Sequence, residues 1–376
     1  MKITILQEKL KEGLNTVERI AIKSTTFPIL NNIRLKAQKN FLNLTATDLE
    51  IALNWWTLSK VDSEGEAVIP AKTLSYLVGF FPNKPVLLET KNNSLYLECD
   101  NSKSTLKSYN PEEFPLIPSI TEGETLQISI TSFCQSLNQV VDFPAFSTTK
   151  PEISGIYFVF QKDFLKMVAT DSFRLGEKTL FFEKPSSLEK TYSFILPQRA
   201  ARELINIFGE KEGNLKIYFS PNQILFESLM PETNHPQIQF ISRLIEGEFP
   251  NYEAIIPKKY ETQLSLPKVD FLNQIKTASL FSGKINEVKL KISPAKETVE
   301  IFSQSPDLGE YQSLVPGKVK GKEITISFNH KFLAEGLANI KSQEVIFELT
   351  DAGGPGALKP VGDPSYLYIV MPIKGS

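Results

Sequence analysis

Val168-Ala169-Thr170-Asp171-Ser172-Phe173-Arg174-Leu175 restates an earlier stretch of the same chain, Leu44-Thr45-Ala46-Thr47-Asp48-Leu49-Glu50. The shared Ala-Thr-Asp cores place Thr47 and Thr170 123 positions apart. Working outward, Ser24-Thr25-Thr26-Phe27-Pro28 faces Ser147-Thr148-Thr149-Lys150-Pro151, and Leu10, Leu14 and Val17 face Phe133, Leu137 and Val140, in that same register. Three landmarks in one register define a duplicated module of roughly 120 residues, the kind of period that decides a fold before any single element does.

A chain of 376 residues holds three such modules, with boundaries expected at 1–123, 124–259 and 260–376. Apolar residues make up 41% of the chain, and no apolar run approaches a membrane span. Met1-Lys2-Ile3-Thr4-Ile5 reads as a first strand rather than a signal peptide. The two cysteines, Cys99 and Cys134, have no metal-like spacing, so the reading is a reduced cytoplasmic protein with two inert thiols. With a net charge of −2, whole-molecule electrostatics makes no case for nucleic acid. Any positive surface must be placed locally.

Each module reads as strand-helix-strands written twice. In the first, strand 2–6 precedes a helix over 7–21, whose apolar face is Leu10, Leu14, Val17 and Ala21. Hairpin 31–37/41–48 turns at Gln38-Lys39-Asn40, strand 66–69 leads into a helix at Pro70, and 85–90 pairs with 94–99. The second predicts strand 125–130, helix 131–140, hairpin 154–160/164–170, a helix from Pro197 and hairpin 215–219/223–228. The third keeps the order: strand 262–266, helix 268–280, hairpin 287–292/298–303, strand 323–327, helix 329–340 and a last strand at 366–371. The fold class is α+β, with one amphipathic helix per half-module covering antiparallel sheets.

Enzymatic chemistry finds little footing. His235 and His330 are the only histidines and neither has a partner at catalytic spacing. Asp48 and Asp171 share a repeat position; a carboxylate there caps the turn's amides more readily than it forms a catalytic pair. Gly353-Gly354-Pro355-Gly356 lacks the ending of a phosphate loop and reads as a mobile loop. Two patterns carry more. Cations recur on the helices: Lys9, Lys11, Arg19 and Lys23, then Lys72, then Gln198 with Arg199 and Arg202, Lys268 and Lys276, and Lys331 and Lys341. If the helices share one face, they converge on phosphates without sequence preference. Apolar residues gather at strand ends and run almost to the terminus in Ile369-Val370-Met371-Pro372-Ile373, as in a docked tail bordering a peptide groove.

Pro28-Ile29-Leu30-Asn31-Asn32, both Ala-Thr-Asp stretches, Glu246-Gly247-Glu248-Phe249-Pro250-Asn251-Tyr252 and Val370-Met371-Pro372-Ile373 occur in an order that resembles the bacterial sliding clamps, the beta subunit of DNA polymerase III. The resemblance spans essentially the whole chain. It implies the DNA clamp fold: three similar domains per protomer, helices lining a ring interior and antiparallel sheets outside. It also implies a head-to-tail homodimer around double-stranded DNA, without catalysis, cofactor, metal or membrane. Partners would be the DNA polymerase III alpha subunit, the clamp loader, and other polymerases or repair proteins, reached through short peptide motifs.

By position, the resemblance implies a partner-peptide pocket of Ile153, Thr170, Ser172, Phe173, Arg174, Leu175, Pro250, Ile255, Ile369, Met371 and Pro372. Phe173 stands where many relatives carry histidine, which makes that wall more apolar. DNA-facing residues would be Lys9, Lys23, Lys72, Gln198, Arg199, Arg202, Lys276 and Lys331. Lys103, Leu106 and Lys107 would meet Leu280 and Phe281 across the dimer interface. The competing readings are a repeat-built enzyme with a cleft around Asp48 and Asp171, and a monomeric interaction scaffold.

Overall fold

The computed structural model describes residues 1–21, 24–118, 120, 123–147 and 149–374. Among these residues six helices stand where the periodicity puts them: α1 (Gln7–Glu18), α2 (Ala71–Gly79), α3 (Ile130–Asn138), α4 (Gln198–Phe208), α5 (Lys268–Ala278) and α6 (His330–Asn339). Each follows directly on a strand: Lys2–Leu6, Gly65–Pro70, Thr125–Ser129, Tyr192–Pro197, Thr262–Pro267 and Ile324–Asn329. Proline closes three of these strands, at Pro70, Pro197 and Pro267, where its fixed φ suits the extended residue before a first helical turn. α1 and α3 stop short of the expected 21 and 140. Their last turns tighten instead, with Ile20 N–H donating to Val17 O at 3.1 Å and Val140 N–H to Leu137 O at 3.1 Å.

The strand that opens a half-module pairs with the hairpin of the other half. Lys2–Leu6 joins Pro85–Lys91, and Gly65–Pro70 joins Asn32–Gln38. Thr125–Ser129 joins Asn214–Phe219, while Tyr192–Pro197 joins Gly155–Phe160. Thr262–Pro267 joins Glu344–Leu349, and Ile324–Asn329 joins Glu287–Ser293. This exchange is the physical meaning of the half-module repeat, because neither half completes its sheet alone.

Sheets then fuse across module boundaries through four strands, of which the sequence pattern places only the last, at 366–371. Ile51–Leu58 pairs antiparallel with Pro236–Arg243, and Arg174–Phe181 pairs antiparallel with Tyr366–Val370. Among the described residues the result is four antiparallel sheets of five, eight, nine and four strands. The chain divides into two compact units, one of 1–134, 186–188 and 202–244, the other of 135–185, 189–201 and 245–376.

Within the first unit α1 packs on Phe41–Thr47 and Ile51–Leu58, and Leu10, Leu14 and Val17 of the helix and Leu44 and Trp55 of the strands are all fully buried. The approach is close because Gly13 has no side chain: a Cβ there would stand 2.4 Å from the Trp55 ring. In the second unit Gly336 of α6 plays the same part, with a Cβ position 2.4 Å from Tyr368. Gly356 corrects the expectation of a loop over 353–356. It is the buried first residue of strand Gly356–Pro360, where a Cβ would lie 2.6 Å from Phe347.

Candidate functional site

The stretch that revealed the repeat builds the centre of the site. After strand Phe164–Thr170, Thr170 Oγ1 donates to Arg174 O at 2.6 Å and accepts from Ser172 N–H at 3.1 Å. Asp171 Oδ1 accepts from Phe173 N–H at 2.9 Å and Arg174 N–H at 3.0 Å, and Ser172 turns into the left-handed region at φ 76. Asp171 is therefore a structural cap, as the sequence reading favoured.

The turn aims two neighbouring side chains differently. Phe173 projects to solvent at 62% exposure, its ring stacked 6.4 Å from Phe332 of α6. Arg174 folds back: Nε donates to Asp171 Oδ2 at 2.9 Å, Nη1 donates to Glu335, and the guanidinium sits over Phe143 at 5.2 Å and Phe332 at 4.7 Å. Burial opposes its charge, but the Glu335 hydrogen bond, with help from Tyr368 and Asp171, holds its pKa above the ordinary arginine value. Arg174 is a fixed cation between aromatic rings.

Beyond the turn, Leu175 pairs with Ile369, and Met371 N–H donates to Phe173 O at 2.8 Å. Ile373 N–H donates to Ser327 O at 2.8 Å, so the tail is docked by main-chain hydrogen bonds. Leu175 and Ile369 join Val168, Tyr252 and Ala357 in one buried cluster, with Tyr157, Phe249, Ile256, Tyr260 and Leu367 packed against it. Tyr157 and Phe249 stack at 4.9 Å. Burial drives the hydroxyl pKa of Tyr252 up strongly and that of Tyr260 up to about 12.

Of the implied pocket residues, Ile153, Thr170, Leu175 and Ile369 are buried, while Arg174, Met371 and Pro372 are half-buried. Ser172, Phe173, Pro250 and Ile255 are exposed. Tyr252, which lies between Pro250 and Ile255 on the 3-10 turn Tyr252–Ile255, ties that linker to the cluster. The aromatic members Tyr157 and Tyr260 escaped the sequence reading, and Tyr252 entered it only within the 246–252 stretch, not as a site residue. The one available signal was the Phe249-Pro250 pair that recurs at the module ends.

The helix cations occupy faces opposite the buried ones. Lys9, Lys72, Arg199, Arg202, Lys276 and Lys331 are exposed, and Lys9 lies 3.4 Å from Glu12. Gln198 differs: it is half-buried, and Nε2 donates to Val141 O at 2.8 Å, which makes it a structural tie. Lys23 lies outside the described residues. Lys103, Leu106 and Lys107 sit on edge strand Ser102–Lys107, beside a cavity of about 340 Å³ lined by Pro70, Leu106, Lys107, Ser108 and Tyr109. Leu280 and Phe281 sit on the 3-10 turn Ser279–Phe281, with Leu280 66% exposed and Phe281 stacked 6.0 Å from Tyr311.

Paired sheets with exchanged strands, fused end to end and backed by helices, define a DNA clamp fold. The sliding clamp of Bacillus subtilis superposes with a TM-score of 0.94 at 26% identity, each chain covered in full. The beta subunit of Thermotoga maritima shares the fold at a TM-score of 0.90 and 23% identity, again over both whole chains. Three family models match in sequence: the DNA polymerase III beta subunit N-terminal domain at 1–118, its central domain at 127–251 and its C-terminal domain at 253–374. The beta sliding clamp of Staphylococcus epidermidis is 30% identical over 384 residues, covering 100% of this chain and 99% of that relative. That of Staphylococcus aureus is 29% identical over the same span. The chain belongs to the DNA polymerase III beta subunit family, the sliding clamps.

Proposed function

We propose that this protein is a cytoplasmic, non-catalytic subunit of a DNA polymerase III holoenzyme, a head-to-tail ring dimer that encircles duplex DNA and tethers polymerases to it. The observation that carries the reading is a pair of unmatched strand edges. Four of the six half-module end strands pair across module junctions: Ile51–Leu58 with Pro236–Arg243, and Arg174–Phe181 with Tyr366–Val370. The remaining two, Ser102–Lys107 and Gly309–Pro316, are sheet edges among the described residues.

An open edge is a template for another strand. Repeating the junction rule places Gly309–Pro316 of one copy beside Ser102–Lys107 of the next, a heterologous contact that must close after a fixed number of copies. Two copies give six modules. The chemistry of the edges agrees. Lys103 and Lys107 are complementary to Glu310, and exposed Leu280 and Leu314 face the same task as the cavity beside Leu106.

Encirclement then replaces affinity. A ring that stays on its template raises the local concentration of a tethered polymerase with only weak phosphate contacts. Lys9, Lys72, Arg199, Arg202, Lys276 and Lys331 supply those contacts. The Leu175–Ile369 cluster, flanked by Met371, Pro372 and Ile255, takes an apolar anchor of a partner peptide. The partners are the polymerase alpha subunit, the clamp loader, and other polymerases or repair proteins. Light scattering with small-angle X-ray scattering tests the reading. A mass near twice 42.3 kDa with a central void is expected, and Leu280→Asp with Phe281→Ser should halve it. A compact wild-type particle of 42.3 kDa at micromolar concentration overturns it.

A further inference from the structure

The first unit carries a second built cavity, on the sheet face turned away from α1. Leu42, Leu44, Leu53 and Trp55 point toward the buried side, so their alternates Phe41, Asn43, Asn54 and Trp56 point the other way. They line a cavity of about 420 Å³ together with Arg34, Lys36, Gln38, Lys39 and His235. The register explains the assembly: Lys36 lies beside Asn43, and Asn43 beside Trp56.

Three aromatic rings form one wall. Phe41 stacks on His235 at 4.0 Å, and Trp56 meets His235 edge-on at 5.7 Å. His235 is pinned, with its ring Nδ1 2.7 Å from Pro236 O and its backbone N–H donating to Thr233 Oγ1 at 3.2 Å. Thr45 Oγ1 lies 2.8 Å from Asn43 Oδ1 and 2.7 Å from Asn54 Oδ1, fixing both amides in the floor. Arg34 sits 5.3 Å over the Phe114 ring, and its buried Nε has no hydrogen-bond partner among the described residues. The lining carries three cations and, among the described residues, no carboxylate. Two carboxylates border the rim: Glu66 lies across from Lys36 on the next strand, and Glu64 Oε1 accepts from the backbone N–H of Lys39 at 2.8 Å.

We infer that this cavity is a docking site for single-stranded nucleic acid, taking one unstacked base against the Trp56–His235–Phe41 wall and the adjoining phosphates on Lys36, Lys39 and Arg34. Aromatic platforms beside cations bind any base, because every base has a π-face. Duplex hides those faces, so the site selects single strands. An acidic peptide fits less well. The strands beneath the cavity are all internal to their sheet and offer no free main-chain edge for strand addition. Seven of the nine lining residues are polar or charged, and the apolar part of the wall is the flat rings of Phe41 and Trp56 rather than an aliphatic slot. The site shares no residue with the Leu175–Ile369 cluster and does not depend on the proposed tethering role.

Trp56 is its own reporter, since the other tryptophan, Trp55, is fully buried. The experiment titrates the full-length protein at low salt with an oligothymidylate of about ten nucleotides, the scale of one single-strand site. Trp56 emission and the anisotropy of the labelled oligonucleotide are both followed. Saturable quenching is expected, with duplex of equal length much weaker. Phe41→Ala should weaken binding about tenfold, the size of one lost base stack. Lys36→Glu with Lys39→Glu should weaken it further and flatten its salt dependence, at an unchanged unfolding midpoint. Trp56→Phe should keep the anisotropy change while removing the quench. Binding that is unaffected by the Lys36 and Lys39 changes would place the strand elsewhere and overturn the site. So would equal binding of duplex, or quenching by an oligoglutamate peptide containing phenylalanine but not by oligothymidylate.

Discussion

Asp48 and Asp171 hold the same turn in two modules. Asp48 Oδ1 accepts from Glu50 N–H at 2.9 Å and Ile51 N–H at 2.6 Å; Asp171 Oδ1 accepts from Phe173 N–H at 2.9 Å and Arg174 N–H at 3.0 Å. Leu49 and Ser172 take the left-handed backbone at φ 77 and φ 76. Thr47 and Thr170 each donate Oγ1 to the carbonyl four residues on. Removing the acceptor leaves two amides short of a partner, so Asp48→Ala and Asp171→Ala should each cost about 1–2 kcal/mol. Urea denaturation checks this, and Asp→Asn, which keeps an oxygen acceptor, should cost less.

That turn was legible in the sequence because all its bonds are local, within four residues of one Thr-Asp pair. The helices were legible for a similar reason, since spacing such as Leu10, Leu14 and Val17 is a property of one segment. The junctions were not. Arg174–Phe181 pairs with Tyr366–Val370 through a match nearly two hundred residues distant, and alternation alone names no partner. The aromatic belt around Leu175 was hidden for the same reason. Tyr157, Tyr252 and Tyr260 come from separate strands and linkers, and only the folded sheet gathers them.

The apolar site calls for a test at residues that can be cut without unfolding the protein. Leu175 is fully buried, and Leu175→Ala should cost about 2–5 kcal/mol of stability. Met371 is half-buried and Ile255 is 48% exposed, so alanine there leaves the core intact. Met371→Ala should weaken a labelled polymerase tail peptide about tenfold or more, as a buried anchor contact does. Fluorescence anisotropy reads this, with the unfolding midpoint as control. Unchanged affinity in the Met371→Ala, Ile255→Ala double variant would mean that the peptide binds another surface.

The helix cations make a prediction about salt rather than about affinity alone. Arg199 and Arg202 lie on the exposed face of α4, whose other face buries Ala200, Ala201, Leu204 and Phe208. If both touch phosphate, Arg199→Ala with Arg202→Ala should lower duplex binding at low salt. The slope of log affinity against log salt should fall by about one for each cation removed. Equal weakening at every salt concentration would instead point to a change in the helix itself.

His330 gives the fold a pH dependence. It opens α6, where Asn329 Oδ1 caps Lys331 N–H at 3.0 Å and His330 N–H donates to Asn286 O at 2.9 Å. Burial lowers its pKa below 6.5, and neighbouring Lys331 lowers it further. The helix N-terminus also disfavours a positive charge there. Between the folded value and 6.5 the unfolded chain binds the proton and the folded chain does not, so acidification favours unfolding. This contribution is fully present above 6.5 and is lost as the pH falls through the folded value. Thermal unfolding of wild type and His330→Gln at neutral pH and about pH 5 isolates the effect, because the other titrations are common to both. Wild type should lose more of its melting temperature than the variant over that interval. A parallel loss in the two proteins would show that His330 carries its proton equally in both states.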